Sequence, residues 1–155
     1  MNPYTLLIVD DEPTQLHTLS NYLKKQDFRV LQANQGKKGL DILKQNVVDI
    51  VLTDYRMPEM NGLEFIRNIK QLNPGIDVIM MTAFGNIEDA VEVMKAGATD
   101  YLQKPIDLDY LDIIINKTVE KRQILSENRT LKESLQEKYH FQHLISHPVT
   151  VSNRC

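Results

Sequence analysis

"LLIVDDEP", Leu6 to Pro13, sets four apolar residues directly against three carboxylates. Leu6–Val9 reads as a short buried strand, and Asp10, Asp11 and Glu12 follow with no base among them. Two unit charges ~4 Å apart repel by about 4 kcal/mol at an effective dielectric near 20. A chain that crowds carboxylates at a strand end must offset that repulsion, so this stretch asks both what fold contains it and what sits beside it.

Further apolar runs recur at Phe28–Leu31, Ile50–Leu52, Val78–Met81 and Asp100–Leu102, with helical spacing between them. Leu16, Leu19, Tyr22 and Leu23 share one helical face, and Leu40, Ile42 and Leu43 belong to a second helix. Leu63, Phe65, Ile66 and Ile69 mark a third, and Ile87, Ala90, Val91 and Met94 a fourth. The punctuation agrees: Pro13 suits a helix start, Asn61-Gly62 precedes the third helix, Asn73-Pro74-Gly75 follows it and Gly97 ends the fourth. Five strand–helix alternations predict an α/β fold on a parallel sheet. Continuous rather than alternating apolar runs suit strands covered on both faces.

The 155 residues suit one domain with an appendage. At 42% hydrophobic and 25% charged, the composition is that of a globular protein. A net charge of −3 leaves no footprint for nucleic acid, so direct nucleic-acid binding is not expected. No apolar run reaches the ~18–20 residues of a membrane span, and no secretory pattern opens the chain. Cys155 is the only cysteine, which excludes a disulfide framework or a cysteine metal site. A cytoplasmic protein without membrane association is expected.

From about Asp107 the strand signal stops, and neither Gly nor Pro appears until Pro148. Leu108, Leu111 and Ile115 can close a fifth helix onto the sheet. Beyond them Ile124, Asn128, Leu131 and Leu135 step by four, three and four, the seam of a coiled coil with one polar core position. Charged residues such as Lys121, Arg122, Glu127 and Arg129 fill the other faces. A homodimer through this linker helix is expected; the bland alternative is one long solvated helix.

In an open parallel sheet, ligands sit beyond the carboxyl ends of the strands. Here the first strand ends in Asp10-Asp11, the third in Asp54, the fourth in Thr82 and the fifth in Lys104. Each alone has an ordinary explanation as a turn residue, helix cap or solvated lysine, and Glu12 reads best as a cap. Together on one sheet edge they predict a site. Clustered carboxylates suit Mg²⁺, a hard cation that keeps some of its waters, and Lys104 adds a counter-charge.

"IVDDEP", "LTDYRMPEMNGLE", "MMTAFG" and "AGATDYLQKP" together resemble the signatures of the response-regulator receiver domain, over roughly Tyr4 to Lys117. The resemblance implies a flavodoxin-like (CheY-like) doubly wound five-stranded parallel sheet of order 2-1-3-4-5, with an extended C-terminal helix. It implies that a histidine kinase passes a phosphoryl group to Asp54. It further implies Mg²⁺ held by Asp11 directly, by Asp10 through water, by Asp54 and by the backbone carbonyl of Arg56. Thr82 and Lys104 would hold phosphoryl oxygens, Tyr101 would be the aromatic switch residue, and the Lys104-Pro105 bond would be cis. An aspartate nucleophile needs no general base, because carboxylates are ionised near neutral pH. Arg56 and Phe84 would flank the path of the water that removes the phosphoryl group.

"EKRQILSENRTLKESL" followed by "FQHLISHPV" resembles the linker of NtrC-type receivers, which precede a sigma-54-activating AAA+ domain. The expected organisation is a receiver at 1–118, a linker helix at 119–140 and a tail at 141–155 that resembles the start of a truncated AAA+ output domain. The chain carries no phosphate-binding G-x-x-x-x-G-K-[ST] loop of its own. Competing readings are a stand-alone phosphorelay carrier, a receiver with a different output domain, and a haloacid-dehalogenase-type phosphatase. The phosphatase wants D-x-D where this chain has Asp10-Asp11. The chain is therefore expected to catalyse only its own phosphorylation and dephosphorylation.

Overall fold

The computed structural model describes residues 3–83 and 87–146, with side chains up to residue 132 and at Leu135. The elements run β1 (Thr5–Val9), α1 (Pro13–Lys24), β2 (Arg29–Ala33), α2 (Gly36–Gln45), β3 (Ile50–Asp54), α3 (Gly62–Leu72), β4 (Asp77–Thr82), α4 (Ile87–Lys95), β5 (Asp100–Gln103) and α5 (Leu108–Ser146). All four strand pairings are parallel, in the order β2-β1-β3-β4-β5. The chain moves outward from β1 to β2, then returns to the far side of β1 with β3. The switch point therefore lies between the ends of β1 and β3, where the acidic residues are.

Burial follows from that order. Every residue of β1 and β3 is buried, while the edge strands β2 and β5 mix buried, half-buried and exposed positions. Phe65, Ile66 and Ile69 of α3 and Val93 of α4 pack with Leu7, Val9, Val51, Val78 and Met80 in one core cluster. Leu16, Leu19 and Leu23 are the buried apolar side chains of α1. Pro13 occupies the first turn of α1, where a missing N–H costs nothing.

One helix packs differently from the expected face. On α4, Ala90 and Val93 are buried, while Ile87, Val91 and Met94 are 71%, 46% and 41% exposed. Their i, i+4, i+7 spacing is a true helical stripe, but it looks outward. On α2, Leu40, Ile42 and Leu43 are half-buried and pack against the core cluster, as their place on a helix allows, and Gly36 and Gly39 are its buried positions. A Cβ on Gly39 would stand 2.9 Å from Phe65 Cζ and 3.3 Å from Val9, so the missing side chain lets α2 approach α3 and β1. The second strand also starts one residue later than its apolar run: Phe28 is buried but precedes β2.

The chain divides into two compact units, Met1–Ile115 and Asn116–Cys155. In the first, Leu111, Ile114 and Ile115 of α5 are buried. In the second, Ile124, Leu131 and Leu135 are 57%, 60% and 64% exposed along the helix, and Asn128 is exposed with them. Among the described residues no helix is long and apolar enough to cross a membrane. Phe84 and residues 147–155 of the tail lie outside the described residues.

Candidate functional site

The parallel register brings the strand ends together. Val9 pairs with Thr53 and Asp54 with Met81, so Asp10, Asp54 and Thr82 emerge on neighbouring strands. Thr82 pairs with Gln103, one residue before Lys104, and the Lys104 N–H donates to the Thr82 carbonyl at 2.7 Å. The Lys104-Pro105 peptide is cis.

Lys104 Nζ donates to Asp54 Oδ2 at 2.9 Å and lies 3.7 Å from Asp10 Oδ2. Asp10 is fully buried and Asp54 nearly so, whereas Asp11 is exposed. One ligand oxygen from each of Asp10, Asp11 and Asp54 lies within 4.8 Å of the others. Asp10 Oδ1 accepts the Glu12 N–H at 2.9 Å, but Asp10 Oδ2 has no hydrogen-bond partner among the described residues. An orphaned buried carboxylate oxygen within an all-oxygen donor set fits a hard divalent cation. Glu12 stands at the N-cap position of α1 as expected, but its side chain makes no capping hydrogen bond, so the expected capping contact is not formed.

The electrostatics follow from the burial. Removal from water pushes the Asp10 carboxyl above the ordinary carboxylate range, against the Glu12 N–H and the Lys104 charge, which pull it down. The Lys104 ammonium is driven downward by burial. The Asp54 hydrogen bond, with the charges of Asp54, Asp10 and Glu12, outweighs that effect and raises it overall. Lys104 is thus held as a cation between two acids.

Thr82 is buried, and its hydroxyl donates to the Leu102 carbonyl at a long 3.5 Å. Tyr101 is half-buried and, with Ile87, Ala90, Val91, Met94 and Lys95, lines a groove of about 390 Å³. Arg56 is exposed, two residues past Asp54. The structure therefore brings Asp10, Asp11, Asp54, Thr82 and Lys104 to one edge, with Tyr101 on the adjoining α4–β5 surface.

A family model described as the response regulator receiver domain matches residues 6–116. The chain belongs to that family. Receivers bind Mg²⁺ in an acidic pocket, and the three aspartates form such a cluster here. The receiver is 40% identical over 120 residues to the transcriptional regulatory protein ZraR of Escherichia coli O157:H7, covering 77% of this chain and 27% of that protein. It is 33% identical over 150 residues to the regulatory protein AtoC of Escherichia coli strain K12, covering 97% of this chain and 32% of that protein. The chain thus spans about a third or less of these relatives' lengths. A receiver domain protein from Clostridium thermocellum superposes with a TM-score of 0.74 at 35% identity, covering 79% of this chain and 98% of that one. NtrX from Brucella abortus superposes with a TM-score of 0.77 at 26% identity, covering 82% of this chain and 29% of that one. The chain is a receiver domain of the two-component response regulators, related to those of the NtrC type.

One group of contacts had no sequence signal. Tyr22 and Gln26 both bond Asp112, across 90 and 86 residues of chain, and no local pattern marks such a pairing.

Proposed function

We propose that Asp54 accepts a phosphoryl group from a histidine kinase, and that this receiver is the phosphorylation-controlled input of a cytoplasmic, sigma-54-dependent transcription activator. The observation that carries the reading is Lys104, whose ammonium joins Asp54 and Asp10 beside the third carboxylate of Asp11. A carboxylate oxygen of Asp54 attacks phosphorus in the donor phosphohistidine. The new O–P bond forms as the N–P bond breaks, and the imidazole keeps the electron pair and takes a proton from solvent. Lys104, already 2.9 Å from Asp54 Oδ2, balances charge on the transferred group. The Thr82 hydroxyl exchanges its long contact to the Leu102 carbonyl for a phosphoryl oxygen.

Asp10, Asp11, Asp54 and the backbone carbonyl of Arg56 are the residues that would hold Mg²⁺. Bound there, the ion supplies charge neutralisation to the phosphoryl oxygens. Inward movement of Thr82 vacates space for Tyr101, which alters the groove against α4. The proposed organisation is a receiver at 1–118, a dimerising linker at 119–140 through Ile124, Asn128, Leu131 and Leu135, and a tail at 141–155 leading to an AAA+ output domain. The description of ZraR as a transcriptional regulatory protein supports this over a stand-alone carrier.

The test is labelling by a small-molecule phosphodonor with Mg²⁺. One acid-labile phosphoryl group is expected per chain, and none on Asp54→Asn, whose amide is a poor nucleophile. Undiminished labelling of Asp54→Asn would overturn the assignment, and continuous turnover of the donor by that variant would indicate a phosphatase instead.

A further inference from the structure

Strand β2 is an outer strand: β1 pairs with its inner side, and among the described residues no strand pairs with its outer side. The Ala33 carbonyl accepts the Asp10 N–H at 3.2 Å, so Ala33 turns its main chain toward β1. Along a parallel strand successive residues turn their N–H and C=O to opposite sides. Gln32 therefore turns its pair outward, and Gln32 is exposed. An outward pair of this kind is a template for a further strand.

The flanking helices leave room for one. The chain runs outward from β1 to β2 and then back to β3, and right-handed crossovers put α1 and α2 on opposite faces of the sheet. Between them, at the β2 edge, lies a cleft of about 490 Å³. Its apolar lining comes from Leu16 of α1, Ala33 of β2 and Ile42 of α2, and Gln32 and Lys38 line it as well.

The charge around this edge is one-sided. Lys24, Lys25, Arg29, Lys37, Lys38 and Lys44 are all exposed, whereas the acids of residues 24–45 are Asp27 and Asp41. This excess of cations stands on a chain whose net charge is −3. Lysines on a sheet edge often serve only to repel other edges. Repulsion alone needs no apolar cleft beside the strand, and here the two occur together. The cations also select the occupant. The β2 edge of a second copy would bring like charges face to face, which is destabilising. A single-stranded nucleic acid wants aromatic platforms for its bases, and Phe28, the one aromatic residue in 24–45, is buried. An extended acidic peptide satisfies every feature: its main chain meets Gln32, an apolar side chain fills the cleft, and its carboxylates meet the cations.

We propose that the free edge of β2 docks an extended, acidic segment of a partner protein as an added strand, with one of its apolar side chains between Leu16 and Ile42 and its carboxylates on Arg29, Lys37 and Lys38. Docking there makes no use of Asp54, so the test is made on the unphosphorylated full chain.

The probe is a capped decapeptide of alternating Glu and Val, titrated at neutral pH while backbone amide shifts are followed. Saturable shifts are expected at Gln32 and Lys38, with affinity falling as salt is added. Lys37→Glu/Lys38→Glu is expected to weaken binding about tenfold or more, by reversing the rim charge. If that variant does not fold, Lys37→Gln/Lys38→Gln decides on the same readout, with a smaller loss. N-methylation of alternate peptide nitrogens removes main-chain donors and is expected to abolish the shifts. Equal binding of the N-methylated peptide would overturn strand addition, and equal binding of a Lys-Val decapeptide would overturn the charge selection. Absence of saturable shifts at Gln32 would overturn the site, as would an oligothymidylate that shifts the same amides with equal affinity. Shifts at Gln32 that grow with protein concentration alone would assign the edge to a second copy and overturn the proposal.

Discussion

Asp10 is fully buried, and its raised pKa has a definite sign for stability. The folded protein holds this proton more tightly than the unfolded chain, whose value is near 3.8. The favourable contribution is therefore complete below that pH and is lost as pH rises through the folded-state value. As pH rises, the growing charge on buried Asp10 weakens the metal-free fold. Asp10→Asn is accordingly expected to stabilise the protein at pH 7 without divalent cations by about 1 kcal/mol, read as a higher urea midpoint, with the difference shrinking as pH falls. Adding Mg²⁺ should stabilise the natural protein more than the variant. Equal stability of the two proteins across the pH range would mean that Lys104 fully compensates the buried charge. The same residue answers what the opening carboxylates are for: one is buried beside Lys104, one is exposed at the rim, and the third stands at a helix cap.

Among the elements, α1 carries a group that works against its own packing. Ser20 is fully buried and its Oγ has no hydrogen-bond partner among the described residues. An unsatisfied buried hydroxyl costs roughly 1–3 kcal/mol, and alanine is also the better helix former. Ser20→Ala is expected to stabilise the fold by about 1 kcal/mol, read as a higher unfolding midpoint with an unchanged slope against denaturant. A lower midpoint would show that the hydroxyl has a partner after all. Element by element, the alternation of strands and helices was legible because β1, β3 and β4 are short, apolar and bounded by polar ends. The outward stripe on α4 was not, because Ile87, Val91 and Met94 have the same periodicity whether they face a core or a partner. Spacing placed Leu40, Ile42 and Leu43 on α2, but it could not reveal the close approaches that Gly36 and Gly39 allow there. The site was legible since each member ends a strand; the grip on Asp112 was not, since it joins positions far apart in sequence.

For the whole molecule, the exposed seam of the second unit sets the expectation. Ile124, Leu131 and Leu135 stand more than half exposed, and each would gain ~1.5–3 kcal/mol if fully buried against a second helix. Parallel pairing would set two Asn128 side chains opposite each other and fix the register at some cost in stability. The Clostridium thermocellum structure is a receiver-length chain, 98% covered, so a truncated receiver is expected to fold by itself. Truncation after Thr118 should yield a monomer in the unphosphorylated state, while the full chain dimerises, as measured by analytical ultracentrifugation. Equal association with and without the linker would place the dimer contact in the receiver instead.

The start of α3 bears on how this protein ages. Asn-Gly pairs deamidate when the glycine nitrogen attacks the asparagine side-chain carbonyl, expelling ammonia and closing a succinimide ring. At Asn61-Gly62 both reacting groups are engaged. Asn61 Oδ1 accepts the Glu64 N–H at 2.9 Å, and the Gly62 N–H donates to the Tyr55 carbonyl at 2.6 Å. A Cβ on Gly62 would fall 2.8 Å from Tyr55 Cα, so a bulkier residue cannot stand there to slow the reaction chemically. Protection comes from folding alone. Isoaspartate at position 61, followed by mass spectrometry of stored protein, should therefore accumulate slowly in the native state and rapidly in urea, recording how long each molecule has spent unfolded.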